Sequence, residues 1–156
     1  MSYTVSIQRV SPRPIAAVAD RMPIRDVPKR FAKLLDEVYA AARHSAITLD
    51  GQNVFVYRGD SSDLVDVEFG VGVAAPFAPI GRVAYSQAPG GDVATTRHWG
   101  AYARLSEAHA AIHSSCEAQG RSLTSTRWEV YGHWSDEPEK VWTDVFWLLS
   151  GASAAR

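Results

Sequence analysis

The sequence has little cysteine and no excess of charge of either sign. Its single cysteine, Cys116, cannot form a disulfide within the chain, and no CxxC or Cys/His spacing typical of a zinc site occurs. The 16 Lys and Arg against 17 Asp and Glu give a formal net charge of −1. This balance argues against the basic surfaces that bind nucleic acids or anionic membranes. We therefore expect no metal, no cofactor, no nucleic-acid partner and no membrane partner.

The sequence also lacks long hydrophobic runs. No apolar segment approaches the roughly 18 residues that cross a bilayer. The opening MSYTVSIQRV has no basic segment followed by an apolar one, so we expect no signal peptide and a cytoplasmic location. What is present, 46% hydrophobic and 21% charged residues in 156, is typical of a globular domain with a core that needs no disulfide.

Hydrophobic periodicity divides the chain into two similar halves, at about residues 3–73 and 82–149. Each half has two strand-like segments, then a segment of helical period (27–42 and 101–119), then two more strand-like segments. The sequence therefore predicts an α+β fold of two pseudo-symmetric strand–strand–helix–strand–strand modules within one domain, 1–156. We expect a curved antiparallel sheet with two helices on one face and a ligand cleft on the other.

Alternation along the strands predicts which side chains face this cleft. In residues 65–73 the apolar odd-numbered residues are expected to pack on the helix, which leaves Glu68 in the cleft. In residues 127–134 the helix side is expected to be Trp128, Val130 and Trp134, which leaves Glu129 and Tyr131 in the cleft. The predicted ligand contacts are two carboxylates among aromatic and apolar side chains: Phe55, Tyr57, Glu68, Trp99, Glu129, Tyr131, Trp142, Phe146 and Leu148.

An aromatic cleft that holds carboxylates suits an apolar, cationic ligand, because rings attract cations and a desolvated carboxylate supplies charge. The alternative is a solvated face on which Glu68 and Glu129 are ordinary surface acids. His109 and His113 have the i,i+4 spacing of metal ligands, but no third ligand is identifiable. His109 is therefore predicted to be a hydrogen-bonded core histidine.

The sequence resembles the GyrI-like (gyrase-inhibitor-like) small-molecule-binding domains over essentially its whole length. HWGAYARL at 98–105 is similar to the H-x-G-P-Y-x-x-L corner of that family, with Ala101 in place of the proline. WEVY at 128–131, DEP at 136–138 and TDVF at 143–146 are similar to its E-x-Y…D-P…T-D-I-Y ending. The length and the duplicated element order also agree.

The resemblance implies a stand-alone ligand-binding domain in which Glu129 is the family's pocket acid, facing cationic lipophilic compounds. Some stand-alone members hydrolyse cyclopropane-bearing DNA-alkylating toxins. By that analogy the alternative function is a hydrolase in which Glu129 acts as general base and Tyr57 or Tyr131 hydrogen-bonds the oxyanion. A third class, a module that acts on a protein partner, rests on the family analogy alone. The sequence leaves monomer and homodimer open.

Overall fold

Residues 2–59 and 63–151 are described by a computed structural model, in which they form eight strands and two α-helices. Every strand pairing within the units described below is antiparallel, so the predicted α+β class is confirmed. In chain order the elements are β1 Ser6–Val10, β2 Arg13–Met22, α1 Val27–Arg43, β3 Leu49–Arg58, β4 Val65–Val73, β5 Val83–Ala88, β6 Gly91–Trp99, α2 Leu105–Ala118, β7 Leu123–Tyr131 and β8 Trp142–Leu149.

The middle unit consists of residues 12–88, with strand order β5-β2-β4-β3 and helix α1. Helix α1 begins with Pro28 in its first turn, where a missing N–H costs nothing. It buries one stripe of side chains at helical spacing against the strands: Val27, Leu34, Leu35, Val38 and Ala41. These residues face a strand core that is almost wholly aliphatic and aromatic.

The terminal unit consists of residues up to 11 together with those from 89 onward, with strand order β1-β6-β8-β7 and helix α2. A 3₁₀ turn, Tyr102–Arg104, leads into α2. The core under this helix is small and aliphatic, and it includes the only cysteine of the sequence: Ala94, Leu105, Ala108, Ile112, Cys116, Val145 and Leu149.

Each unit has the same arrangement of an edge strand followed by three antiparallel strands. The edge strands come from the other half of the sequence, because β1 pairs with β6 and β5 pairs with β2. Neither α-helix in the part of the chain that the structure describes is both long and apolar enough to cross a membrane.

Candidate functional site

The register of β7 and β8 decides which way Glu129 points. Directly opposed residues of antiparallel strands project to the same face, and Glu129 lies opposite Val145 while Tyr131 lies opposite Thr143. Glu129 also hydrogen-bonds to His109 of α2. Glu129 and Tyr131 therefore face α2, and the prediction that Trp128 and Val130 occupy the helix side was wrong. The alternation of apolar and polar residues predicted the wrong face because both faces of β7 are buried. Trp128 is 3%, Glu129 6% and Val130 4% exposed.

The same correction applies in the middle unit. Phe55 lies opposite Phe69 and Tyr57 opposite Val67, and the ring of Phe31 from α1 is 5.9 Å from that of Phe55. Phe55 and Tyr57 therefore face α1, whereas Glu68, opposite Val56, lies on the other face. The expectation that these three side chains share one face was wrong, because Phe55 and Tyr57 continue the apolar helix-facing surface of β4 rather than its polar surface.

Four of the predicted contacts lie on the face of the terminal unit that points away from α2. Register pairs Trp99 with Trp142, and places Phe146 and Leu148 on the same side as these two. The guanidinium of Arg97 lies 3.9 Å from the ring centre of Trp142 and 5.8 Å from that of Trp99. The cation–π contacts predicted for a ligand are thus made here by an arginine of the chain itself.

Glu129 accepts hydrogen bonds from side chains of α2 and β7. The Nε2 of His109 is 2.7 Å from Oε2 of Glu129, and the hydroxyl of Tyr131 donates to Oε1. The Nε1–H of Trp147 donates to Nδ1 of His109 over 2.9 Å. Since an indole can only donate, Nδ1 carries no proton, and the imidazole proton is on Nε2, where it is donated to Glu129. The prediction that His109 is hydrogen-bonded is confirmed, but its side chain is 22% exposed and is therefore half-buried rather than part of the core.

Two exposed rings, Tyr102 and Trp134, extend this group from Tyr131. The Tyr102 ring is 5.6 Å from that of Tyr131 and 6.3 Å from that of Trp134. Tyr102 is 43% and Trp134 71% exposed, and partial burial raises the pKa of Tyr102. The sequence analysis missed both residues as site candidates. Tyr102 stood in the quoted corner motif, which was the available signal, whereas Trp134 was assigned to the helix-packing side.

The corner before α2 explains how Tyr102 is positioned. His98, 1% exposed, donates from Nε2 to the carbonyl of Ala101 at 2.9 Å, and its Nδ1 accepts from the hydroxyl of Tyr3 at 2.9 Å. Gly100 has φ of +112°, which side-chain-bearing residues rarely adopt. The histidine and the glycine of the corner motif therefore fix the chain direction that presents Tyr102 beside Tyr131.

The other predicted carboxylate, Glu68, has a different environment. It pairs with Arg58 at 2.8 Å, and Arg21 pairs with Asp66 at 2.8 Å and lowers the pKa of that carboxyl by hydrogen bonding. These four side chains line an open hollow of about 460 Å³. Glu68 therefore belongs to an exposed network of ion pairs, whereas Glu129 is buried at 6% exposure. Among residues 2–59 and 63–151, no three His, Cys, Asp or Glu side chains form a group that could hold a metal ion.

No protein-family model and no curated protein sequence matches this chain. Solved structures do match, at low sequence identity. The C-terminal domain of EcmrR has a TM-score of 0.75 at 18% identity, covering 96% of this chain and 99% of that one. SAV2435 bound to tetraphenylphosphonium has a TM-score of 0.67 at 12% identity, covering 99% and 97%. The chain has a GyrI-like fold.

This GyrI-like fold agrees with the resemblance found in the sequence. A hydrolase from Listeria innocua also shares it, with a TM-score of 0.64 at 14% identity over 94% of this chain and 92% of that one. In the complex of EcmrR with DNA, this chain matches 57% of the EcmrR chain. The fold therefore occurs in proteins whose names describe different activities, and the function of this chain has to be argued from its own residues.

Proposed function

We propose that this protein binds lipophilic aromatic cations and that Glu129 is the anionic anchor of the binding site. The observation that carries this proposal is a carboxylate that is only 6% exposed and accepts hydrogen bonds from His109 and Tyr131, beside further aromatic rings.

The hydrogen bonds from His109 and Tyr131 fix the orientation of the Glu129 carboxylate. A carboxylate with little solvent around it attracts a cation more strongly than one in water does. The neighbouring rings of Tyr131, Tyr102 and Trp134 offer aromatic faces to the apolar part of such a ligand. The fold of SAV2435, solved with tetraphenylphosphonium, supports the choice of ligand class.

The other sequence-predicted contacts divide into two groups in this proposal. Phe55 and Tyr57 remain predicted ligand contacts from the α1-facing side of the middle unit. Trp99, Trp142, Phe146 and Leu148 lie on the face away from α2, so they are not assigned to the site built on Glu129.

The test is the binding of tetraphenylphosphonium by isothermal titration calorimetry. Glu129→Gln keeps the shape of the side chain and removes its charge, so affinity should fall by about 10- to 100-fold. Triphenylphosphine oxide, a neutral aromatic phosphorus compound, should bind parent and variant alike. Glu107→Gln is the matched control, because this exposed acid of α2 pairs with Arg104. Equal losses for both ligands, or for both variants, would contradict the anchoring role.

A second candidate function is hydrolysis of a cyclopropane-bearing electrophile, with Glu129 as general base and Tyr57 as oxyanion partner. The fixed orientation of the Glu129 carboxylate favours it, because a general base must be held within reach of its water. In this reaction a ring C–C bond breaks, and water supplies the hydroxyl to one carbon and the proton to the other.

Mass analysis separates the two functions. A cyclopropane-bearing aromatic electrophile is incubated with sub-stoichiometric protein, in parallel with Glu129→Gln and with no protein. A hydrolase converts several equivalents to a product heavier by one water, only with the parent chain. A binder retains the compound unchanged.

A further inference from the structure

We infer that Trp147 and His109 set the charge selectivity of the Glu129 site: the indole N–H keeps the imidazole neutral, so that His109 orients Glu129 without cancelling its negative charge. This inference rests on the proposed function and adds two specificity-determining residues to it. Neither was among the predicted ligand contacts.

The positions of the protons on Trp147 and His109 follow from the hydrogen bonds that join them to each other and to Glu129. Trp147 donates to Nδ1 of His109 at 2.9 Å, and Nε2 of His109 is 2.7 Å from Glu129. An imidazolium has N–H on both nitrogens, so protonating His109 would set two N–H groups against each other and remove the hydrogen bond of the indole. The geometry therefore disfavours the imidazolium for as long as Trp147 is present.

The charged and titratable groups around His109 act in opposite directions. From β7, the carboxylate of Glu129 favours an imidazolium, whereas the hydroxyl of Tyr131 is bound to Glu129. The guanidinium of Arg127, 5.4 Å from the Trp147 ring centre, disfavours it. On α2, His113 packs edge-on against Trp147 at 4.4 Å, and burial lowers its pKa. Trp147 therefore contacts three of these groups, His109, His113 and Arg127.

The first experiment measures the protonation state directly, by NMR of the imidazole nitrogens. In the parent, His109 should carry its proton on Nε2 between about pH 6 and 8. Trp147→Phe keeps a ring and removes the donor, so the imidazolium population should grow as the pH is lowered. Trp128→Phe is the control, because that indole stacks on Phe146 on the other face at 5.4 Å. A proton on Nδ1 in the parent, or an unchanged titration in Trp147→Phe, would overturn the inference.

The second experiment measures selectivity at about pH 6. Trp147→Phe should weaken tetraphenylphosphonium binding by about five- to tenfold, because an imidazolium now neutralises Glu129, and should leave triphenylphosphine oxide binding unchanged. Adding His109→Gln should restore the cation affinity, since glutamine donates a neutral N–H at every pH. A double variant as weak as Trp147→Phe would show that the loss came from packing, and the inference would be wrong.

The NMR and binding measurements distinguish a failure of the proposed function from a failure of the selectivity inference. If the parent binds no tetraphenylphosphonium, the proposed function and the selectivity built on it both fail, while the NMR result still decides the tautomer. If the parent binds the cation but Trp147→Phe binds it equally well, only the selectivity inference fails.

Discussion

The middle and terminal units bury different kinds of side chain at matching positions beneath their helices. Val56-Tyr57 and Val130-Tyr131 match along the sequence, which makes Phe55 the counterpart of Glu129. Phe55 lies between rings, 5.9 Å from Phe31 and 5.0 Å from Phe69, whereas Glu129 lies within hydrogen-bonding distance of His109 and Tyr131.

The difference indicates which unit carries the candidate site. Ring packing needs no particular donor, so apolar contacts are enough to bury a ring at this position of the middle unit. A buried carboxylate is unfavourable unless hydrogen bonds satisfy it, and the terminal unit has side chains of α2, β7 and β8 joined for that purpose. A fold that can fill this position with phenylalanine in one unit has no structural need for a glutamate in the other.

The largest expected effect comes from removing a ring of the middle unit. Phe69 is fully buried, so Phe69→Ala should leave a cavity and lower the free energy of unfolding by about 3–5 kcal/mol in a urea titration. Phe77→Ala is the control, because Phe77 is half-buried and belongs to the segment that connects β4 to β5. Its ring lies 6.2 Å from that of Tyr85. Similar losses in both variants would contradict the assignment of Phe69 to the main core.

The sequence predicted the fold class and several faces because strand alternation is a local signal. The odd residues of β4 are all buried, as the alternation of valine and phenylalanine predicts. The faces of β3 and β7 could not be predicted in the same way. Trp128, Glu129 and Val130 are all buried, so hydropathy does not distinguish the side that meets α2 from the side that does not.

The sequence also could not predict which strands pair with the edge strands, or which residues bind His109. β1 pairs with β6 across some 80 positions, and periodicity finds a strand without identifying its neighbour. His109 was predicted to be hydrogen-bonded because its spacing placed it on the predicted packing stripe of the second helix. Its partners Glu129 and Trp147 are on two different strands. The register between these strands places Glu129 beside Nε2 of His109 and Trp147 beside Nδ1.

A smaller effect is expected where side chains lie against glycine. The Trp142 ring of the terminal unit covers Gly132, and the Asp50 carboxylate of the middle unit covers Gly72, each in the space that a Cβ would take. Gly132→Ala must displace a rigid indole, so it should lower the free energy of unfolding by about 1–3 kcal/mol. Gly72→Ala displaces a short, half-exposed side chain and should cost less. Thermal unfolding compares the two, and a larger loss for Gly72→Ala would contradict this account.

The smallest effect concerns an ion pair of the middle unit, between Glu37 of α1 and Arg82, the residue that precedes β5. Glu37 accepts from Arg82 at 2.5 and 3.1 Å, and this hydrogen bonding lowers the pKa of Glu37 below its ordinary value of 4.5. A lowered folded-state pKa contributes stability above the ordinary pKa, which is lost as the pH falls through the lower value. Both side chains are a third or more exposed, so solvent screens the pair and its contribution to stability is small.

Glu37→Gln should therefore be slightly less stable than the parent at neutral pH, and the difference should disappear in acid. Urea unfolding at about pH 7 and about pH 3 measures it, with Asp36→Asn, an exposed neighbour on α1, as the control. A difference that is the same at both pH values would show that the loss does not come from the charge of Glu37. The charge link of the middle unit would then be dispensable, whereas the terminal unit is expected to need the charge of Glu129 for cation binding.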